Sequence, residues 1–135
     1  MAEAMNLTGD IIEESLKDKS VVKEVKVIST RVEQVTEDHK TPWLKQWTLH
    51  TIEVEPDEAS ALAERLCHAL EPNYWYIDYK NDDLHYIIFP VKVFRVNRKN
   101  PDEYKPVVTY GLSLNIPRYQ LDFSPEIKYW ERSDA

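Results

Sequence analysis

The stretch Asn73–Val96, NYWYIDYKNDDLHYIIFPVKVFRV, constrains the fold more than any other, because turn chemistry alone separates its three short runs of aromatic and β-branched residues. The pattern predicts a three-stranded antiparallel meander. The first turn centres on Asn81 and Asp82, both tolerant of positive φ, and the second on Pro90 and Val91, with Pro90 fixing φ at the first turn position. A two-residue loop at Asn81–Asp82 sets Asp78 opposite His85 and Tyr79 opposite Leu84. The period of two then sorts the faces. Trp75, Ile77, Tyr79, Leu84, Tyr86 and Ile88 share a nearly uniform apolar face suited to a core, whereas Tyr74, Tyr76, Asp78, His85, Ile87 and Phe89 share the other.

The remaining elements follow from period and capping. Residues 1–20 read as a tail with a short helix capped at Thr8 or Asp10 and carrying Ile11, Ile12 and Leu16; residues 21–135 read as a single α+β domain. Val21–Thr36 is β-branched and shifts phase near Ile28 and Ser29, which predicts a long strand with a bulge or bend there. Trp43–Glu55 pairs back on it. Pro56, Asp57 and Glu58 open a helix whose stripe is Ala59, Leu62, Ala63, Leu66 and Leu70. Asn100, Pro101 and Glu103 start a second, with Tyr104, Val107, Val108 and Leu112 inward and a kink at Pro106. Residues 116–125 alternate like an edge strand, and Ile127–Trp130 suits a last docking turn. The expected fold is α+β in two layers, an antiparallel sheet of about five strands in the order ββαβββα with helices packed mainly on one face.

Composition limits the function classes. With 135 residues, 42% hydrophobic and 30% charged, the chain suits one domain, and 15 aromatics (Trp 4, Tyr 8, Phe 3) against 2 glycines indicate regular elements. Glycine at Gly9 and Gly111 alone leaves no phosphate-cradling loop or dinucleotide fingerprint, so no cofactor is expected. A formal charge of −7 argues against nucleic acid and anionic membranes as partners. The single Cys67 excludes an internal disulfide, and neither a leader nor a spanning apolar run is present, so a cytoplasmic location is expected. His39, His50, His68 and His85 fall at no zinc-ligand spacing, and no metal site is expected. Cys67, beside His68 near the end of the first helix, reads as a small half-buried core residue.

HKTPWLKQWTLHTIEVE (39–55), WYIDYKNDDLHYIIF (75–89) and YGLSLNIPRYQLDFSP (110–125) resemble segments of a family of small prokaryotic single-domain proteins with no assigned activity. The resemblance implies a cytosolic single domain and carries over no catalytic residue.

Three constellations carry chemistry. Asp78 and His85 sit as cross-strand neighbours, and a carboxylate beside an imidazole raises its basicity and fixes its tautomer, the arrangement of a general base; an ordinary strand pair is the plain alternative. Trp43, Trp47, Trp75, Tyr74 and Tyr76 suit either core or a pocket for a planar ligand or partner, Trp43 being the most exposed candidate. Lys92, Arg95, Arg98, Lys99 and Lys105, interleaved with Phe94 and Tyr104, suit either a phosphate grip or a solvated surface. The preferred reading is a non-catalytic binding module, with Trp43, Tyr74, Tyr76, Phe94 and Arg95 as contact residues and self-association through a strand edge or the second face of the meander. A small hydrolase or transferase using His85 and Asp78 is the alternative. An RNA-acting protein of the small toxin type comes last.

Overall fold

Six strands, β1 (Leu7–Ile12), β2 (Lys26–Gln34), β3 (Gln46–Val54), β4 (Ile77–Lys80), β5 (Leu84–Phe89) and β6 (Lys92–Asn97), form one antiparallel sheet in the spatial order β2-β3-β1-β4-β5-β6. Among the described residues two α-helices, α1 (Ala59–Ala69) and α2 (Lys105–Ser113), pack on this sheet in an α+β architecture. The computed structural model describes residues 5–34, 45–72, 75–114, 116 and 121. No helix among them is long and apolar enough to cross a membrane.

The hairpin of β2 and β3 forms with the predicted register slip between Val27 and Ser29, but β2 begins at Lys26 rather than Val21, because Lys19–Glu24 form a 3-10 turn capped by Asp18 accepting the Ser20 amide. The meander forms too, and Phe89 pairs with Lys92 around Pro90–Val91. Val91 takes φ 58°, a conformation that costs a β-branched side chain dearly and that the turn imposes on it. The stripe of α1 is buried as its spacing requires: Ala59, Ala63 and Leu66 are fully sequestered, Leu62 nearly so.

Three expectations are corrected. The sheet has six strands rather than five, because residues assigned to a tail and short helix instead form β1, the strand that joins β3 to β4. Leu7, Gly9 and Ile11 alternate with Thr8 and Asp10, and burial of Leu7 and Ile11 outweighs the helical spacing of Ile11, Ile12 and Leu16. Leu16 instead bridges to Leu70, and the Ala69 carbonyl accepts the amides of Lys17 (2.8 Å) and Asp18 (3.3 Å), closing the end of α1.

The layering is the second correction. One cluster packs α1 on the sheet through Leu62, Ala63, Leu66, Ile77, Tyr79, Tyr86 and Ile88. A separate cluster joins Tyr76, Ile87, Phe89 and Val96 to Tyr104 and Val107 on the opposite face. The helices therefore lie on both faces, giving three layers where two were expected. Leaving Ile87 and Phe89 in water would forgo about 1.5–3 kcal/mol for each side chain, and α2 with the turn before it provides their cover. Third, Pro106 does not kink a helix. A 3-10 turn over Pro101–Tyr104, capped by Asn100 accepting the Asp102 amide, ends before α2 begins, and Pro106 falls in the first turn of α2 where a missing amide hydrogen leaves no bond unmade. The proposed edge strand at 116–125 lies outside the described residues apart from Ile116 and Leu121, both buried, and the turn at 127–130 lies wholly outside.

Candidate functional site

The β4–β5 turn positions the Asp78–His85 pair. The Asn81 amide bonds to the Leu84 carbonyl (3.0 Å), and the Asn81 side chain accepts the amides of Asp83 (2.9 Å) and Leu84 (2.8 Å). The loop is thus Asp82–Asp83, one residue later than the Asn81–Asp82 turn read from sequence, because the Asn81 side chain caps the turn from outside. Lys80 pairs with His85 and Asp78 with Ile87. A register displaced by two keeps every side chain on its face, so Asp78 and His85 remain together as diagonal neighbours rather than opposite ones.

Their contact is direct. His85 Nε2 lies 2.6 Å from Asp78 Oδ2, and His85 Nδ1 lies 3.0 Å from the hydroxyl of Tyr104, delivered by the 3-10 turn. A proton on Nε2 is donated to the carboxylate, which leaves Nδ1 to accept the Tyr104 O–H. Asp78, His85 and Tyr104 are 4%, 1% and 8% exposed, so the triad is closed to bulk solvent. Burial pushes the Tyr104 phenol up, opposed by the nearby Arg98 guanidinium. What this geometry does directly is join β4, β5 and the 3-10 turn through a low-dielectric hydrogen-bonded chain.

The chain extends across the sheet. Asp10 pairs with Asp78 across β1 and β4, accepts the Thr51 hydroxyl at 2.6 Å, and lies 3.7 Å from Arg31. Burial, followed in the same direction by the charge of Asp78, raises the Asp10 carboxyl above the usual carboxylate range, while Thr51 and Arg31 oppose it. A polar seam of Arg31, Thr51, Asp10, Asp78, His85 and Tyr104 therefore runs beneath one face. Sequence suggests the Asp78–His85 pair within it but not Arg31, Thr51 or Asp10, since Asp10 enters through β1.

Of the proposed contact residues, Tyr76 and Phe94 meet on Phe89 in one apolar cluster, and Arg95 lies apart from them. Tyr76 is buried against Phe89 (5.7 Å between ring centroids), and Phe94 is half-buried against Phe89 (5.9 Å) and Tyr110 (5.8 Å) with Lys92 Nζ 5.2 Å above its ring. Arg95 pairs with Tyr86 on the α1 side of the sheet, where it lines a shallow recess of about 370 Å³ with Asp83, Leu84, Asn97, Lys99 and Glu103. Trp43 and Tyr74 lie outside the described residues. Trp47 and Trp75 are core, packed edge-on at 5.7 Å. In the basic segment Lys99 pairs with Asp83 and Lys105 with Asp102, both at 3.2 Å, so those two charges are locally balanced.

One cluster escaped the sequence reading. On α1, donor atoms of Glu64, Cys67 and His68 lie within 4.8 Å of one another. The signal was their i, i+3, i+4 spacing, missed because histidines and cysteines were compared only with each other. No protein-family model, no curated protein and no solved structure matches this chain.

Proposed function

We propose that the chain is a non-catalytic, cytoplasmic interaction module that self-associates through the outer edge of β2. The observation that carries this reading is the character of that edge. β2 is a nine-residue terminal strand exposed along almost its whole length, and Val27, Ile28 and Val32 are 38%, 51% and 53% exposed upon it. Among the described residues no strand pairs with this edge, and an edge of this length with apolar side chains is a template for another strand. A second copy laid antiparallel about a two-fold axis at Thr30 sets Ile28 opposite Val32 twice, which places apolar side chains against each other while ladder hydrogen bonds form. The second face of the meander, the other surface suggested by sequence, is covered by the chain's own α2.

Sedimentation equilibrium on the intact chain tests the proposal. A two-fold multiple of 16.0 kDa is expected, reverting to 16.0 kDa in the Ile28→Lys, Val32→Lys double variant with no loss of fold. A unaltered chain that stays monomeric at hundreds of micromolar would exclude the reading.

The hydrolase or transferase reading is favoured by one observation, the 2.6 Å contact between His85 and Asp78. Against it, both imidazole nitrogens are engaged within the protein, and the recess beside Arg95 does not include the pair. A general base must reach a substrate proton at hydrogen-bonding distance. The RNA-acting reading is opposed by the −7 formal charge.

A further inference from the structure

The geometry points to a binding site for a thiophilic divalent cation, Zn²⁺ by preference, formed by Glu64, Cys67 and His68 on α1. A carboxylate oxygen, the Cys67 sulfur and an imidazole nitrogen already lie within 4.8 Å of one another. Tetrahedral zinc with bonds of about 2.0–2.3 Å needs its donors roughly 3.5 Å apart, so the donors must close by on the order of 1 Å. The burial pattern permits that adjustment. Cys67 is fixed in the core at 4% exposure, whereas Glu64 and His68 are exposed and free to change rotamer over it. Their exposure also leaves the fourth position open to water, so three protein ligands suffice.

Two further features suit a cation. The cluster falls in the last two turns of α1, toward the carbonyl end of the helix, where the dipole favours positive charge. The donor set also combines a soft sulfur with imidazole and carboxylate, which selects Zn²⁺ over the oxygen-seeking Mg²⁺ and Ca²⁺. In the metal-free protein, burial and then the Glu64 carboxylate keep the Cys67 thiol protonated, with the Val91 amide opposing. Binding exchanges the thiol proton for the metal: the S–H bond breaks, a sulfur–metal bond forms, and one proton leaves to solvent with no change of oxidation state. The Cys67 carbonyl accepts the Val91 amide at 3.3 Å, so the site is braced from behind by the β5–β6 turn.

Cobalt(II) is the probe, titrated into the reduced, metal-free full chain. The expected result is a thiolate-to-cobalt charge-transfer band in the near ultraviolet with visible bands of four-coordinate intensity, saturating at one equivalent and abolished by Zn²⁺. Cys67→Ser should remove the near-ultraviolet band. His68→Ala and Glu64→Gln should each weaken binding by about tenfold or more while leaving metal-free thermal stability unchanged, since both side chains are exposed. The proposal fails if no charge-transfer band develops with several equivalents of cobalt, or if the band and its affinity are the same in His68→Ala and Glu64→Gln as in the unaltered chain.

Discussion

Gly9→Ala should cost this fold about 3–6 kcal/mol, although the change adds only one methyl group in a strand of ordinary composition. A Cβ built at Gly9 lies 1.9 Å from the Asp78 carbonyl oxygen and 2.8 Å from the Tyr79 Cα, whereas ordinary contact begins at 3.4 Å. Both obstacles are backbone of β4, which has no rotamer to change. Moving the Asp78 oxygen from 1.9 to 3.4 Å displaces β4 by 1.5 Å, enough to take a ladder bond of about 2.9 Å out of range. β1 and β4 share only the pairs Thr8–Lys80, Gly9–Tyr79 and Asp10–Asp78, so the whole junction is affected. Losing two or three bonds at about 1 kcal/mol each, on top of about 1–3 kcal/mol for overpacking, gives the stated range. That is a large part of the roughly 5–15 kcal/mol that holds a typical domain together. Urea unfolding followed by the fluorescence of buried Trp47 and Trp75 measures it. The sign is decisive: in a tail or helix, replacing glycine by alanine would be neutral or add up to about 1 kcal/mol. A stabilised variant, or a loss below about 1 kcal/mol, would refute the close approach of β1 and β4.

Asp10→Asn should stabilise the protein at pH 7, because a carboxyl raised by burial binds its proton more tightly in the folded state, and its ionised form weakens the fold above that raised value. The gain should shrink as pH falls through the folded value and vanish below the unfolded one; a variant less stable at pH 7 contradicts the assignment. Asp78→Asn should lower the pKa of His85 followed by ring-proton NMR and destabilise the fold by about 1.5–3 kcal/mol, and an unchanged His85 titration would dissolve the pair. Val91→Gly should add about 0.5–1 kcal/mol in thermal unfolding by relieving positive φ at a β-branched residue, and a lower melting temperature would show that the turn does not hold Val91 at 58°.

Where one local rule spoke alone, the sequence was readable. The two faces of the meander emerged because alternation survives any even displacement of register, so Asp78 and His85 stayed together although the turn centre moved by a residue. The bulge beside Ile28 and the stripe of α1 were legible for the same reason. Residues 7–12 were not, since Ile11, Ile12 and Leu16 also fit a helical period, and the partners that decide for a strand lie far along the chain in β3 and β4. The polar seam was lost with that strand, because Asp10 meets Asp78 only through it. Tyr104 was visible as an inward residue of a helix, but its hydroxyl reaches His85 across the fold, a contact no local pattern encodes. The placement of α2 depended on which sheet face lacked cover, which periodicity alone does not decide.

β1 precedes both of its partners in the chain, yet it is the strand on which the two halves of the sheet meet. The β2–β3 hairpin and the β4–β5–β6 meander each arise from short-range pairing, the kind that forms within microseconds. Until β1 enters between them, each half presents a bare inner rim and no hydrogen-bonded ladder joins the two halves. Insertion joins contacts of wide sequence separation and should therefore set the folding rate. The same geometry makes the molecule divisible. A chain lacking the first twelve residues should remain receptive to a synthetic peptide of residues 5–14, which would complete the sheet by strand donation and report its arrival through a gain in cooperative unfolding.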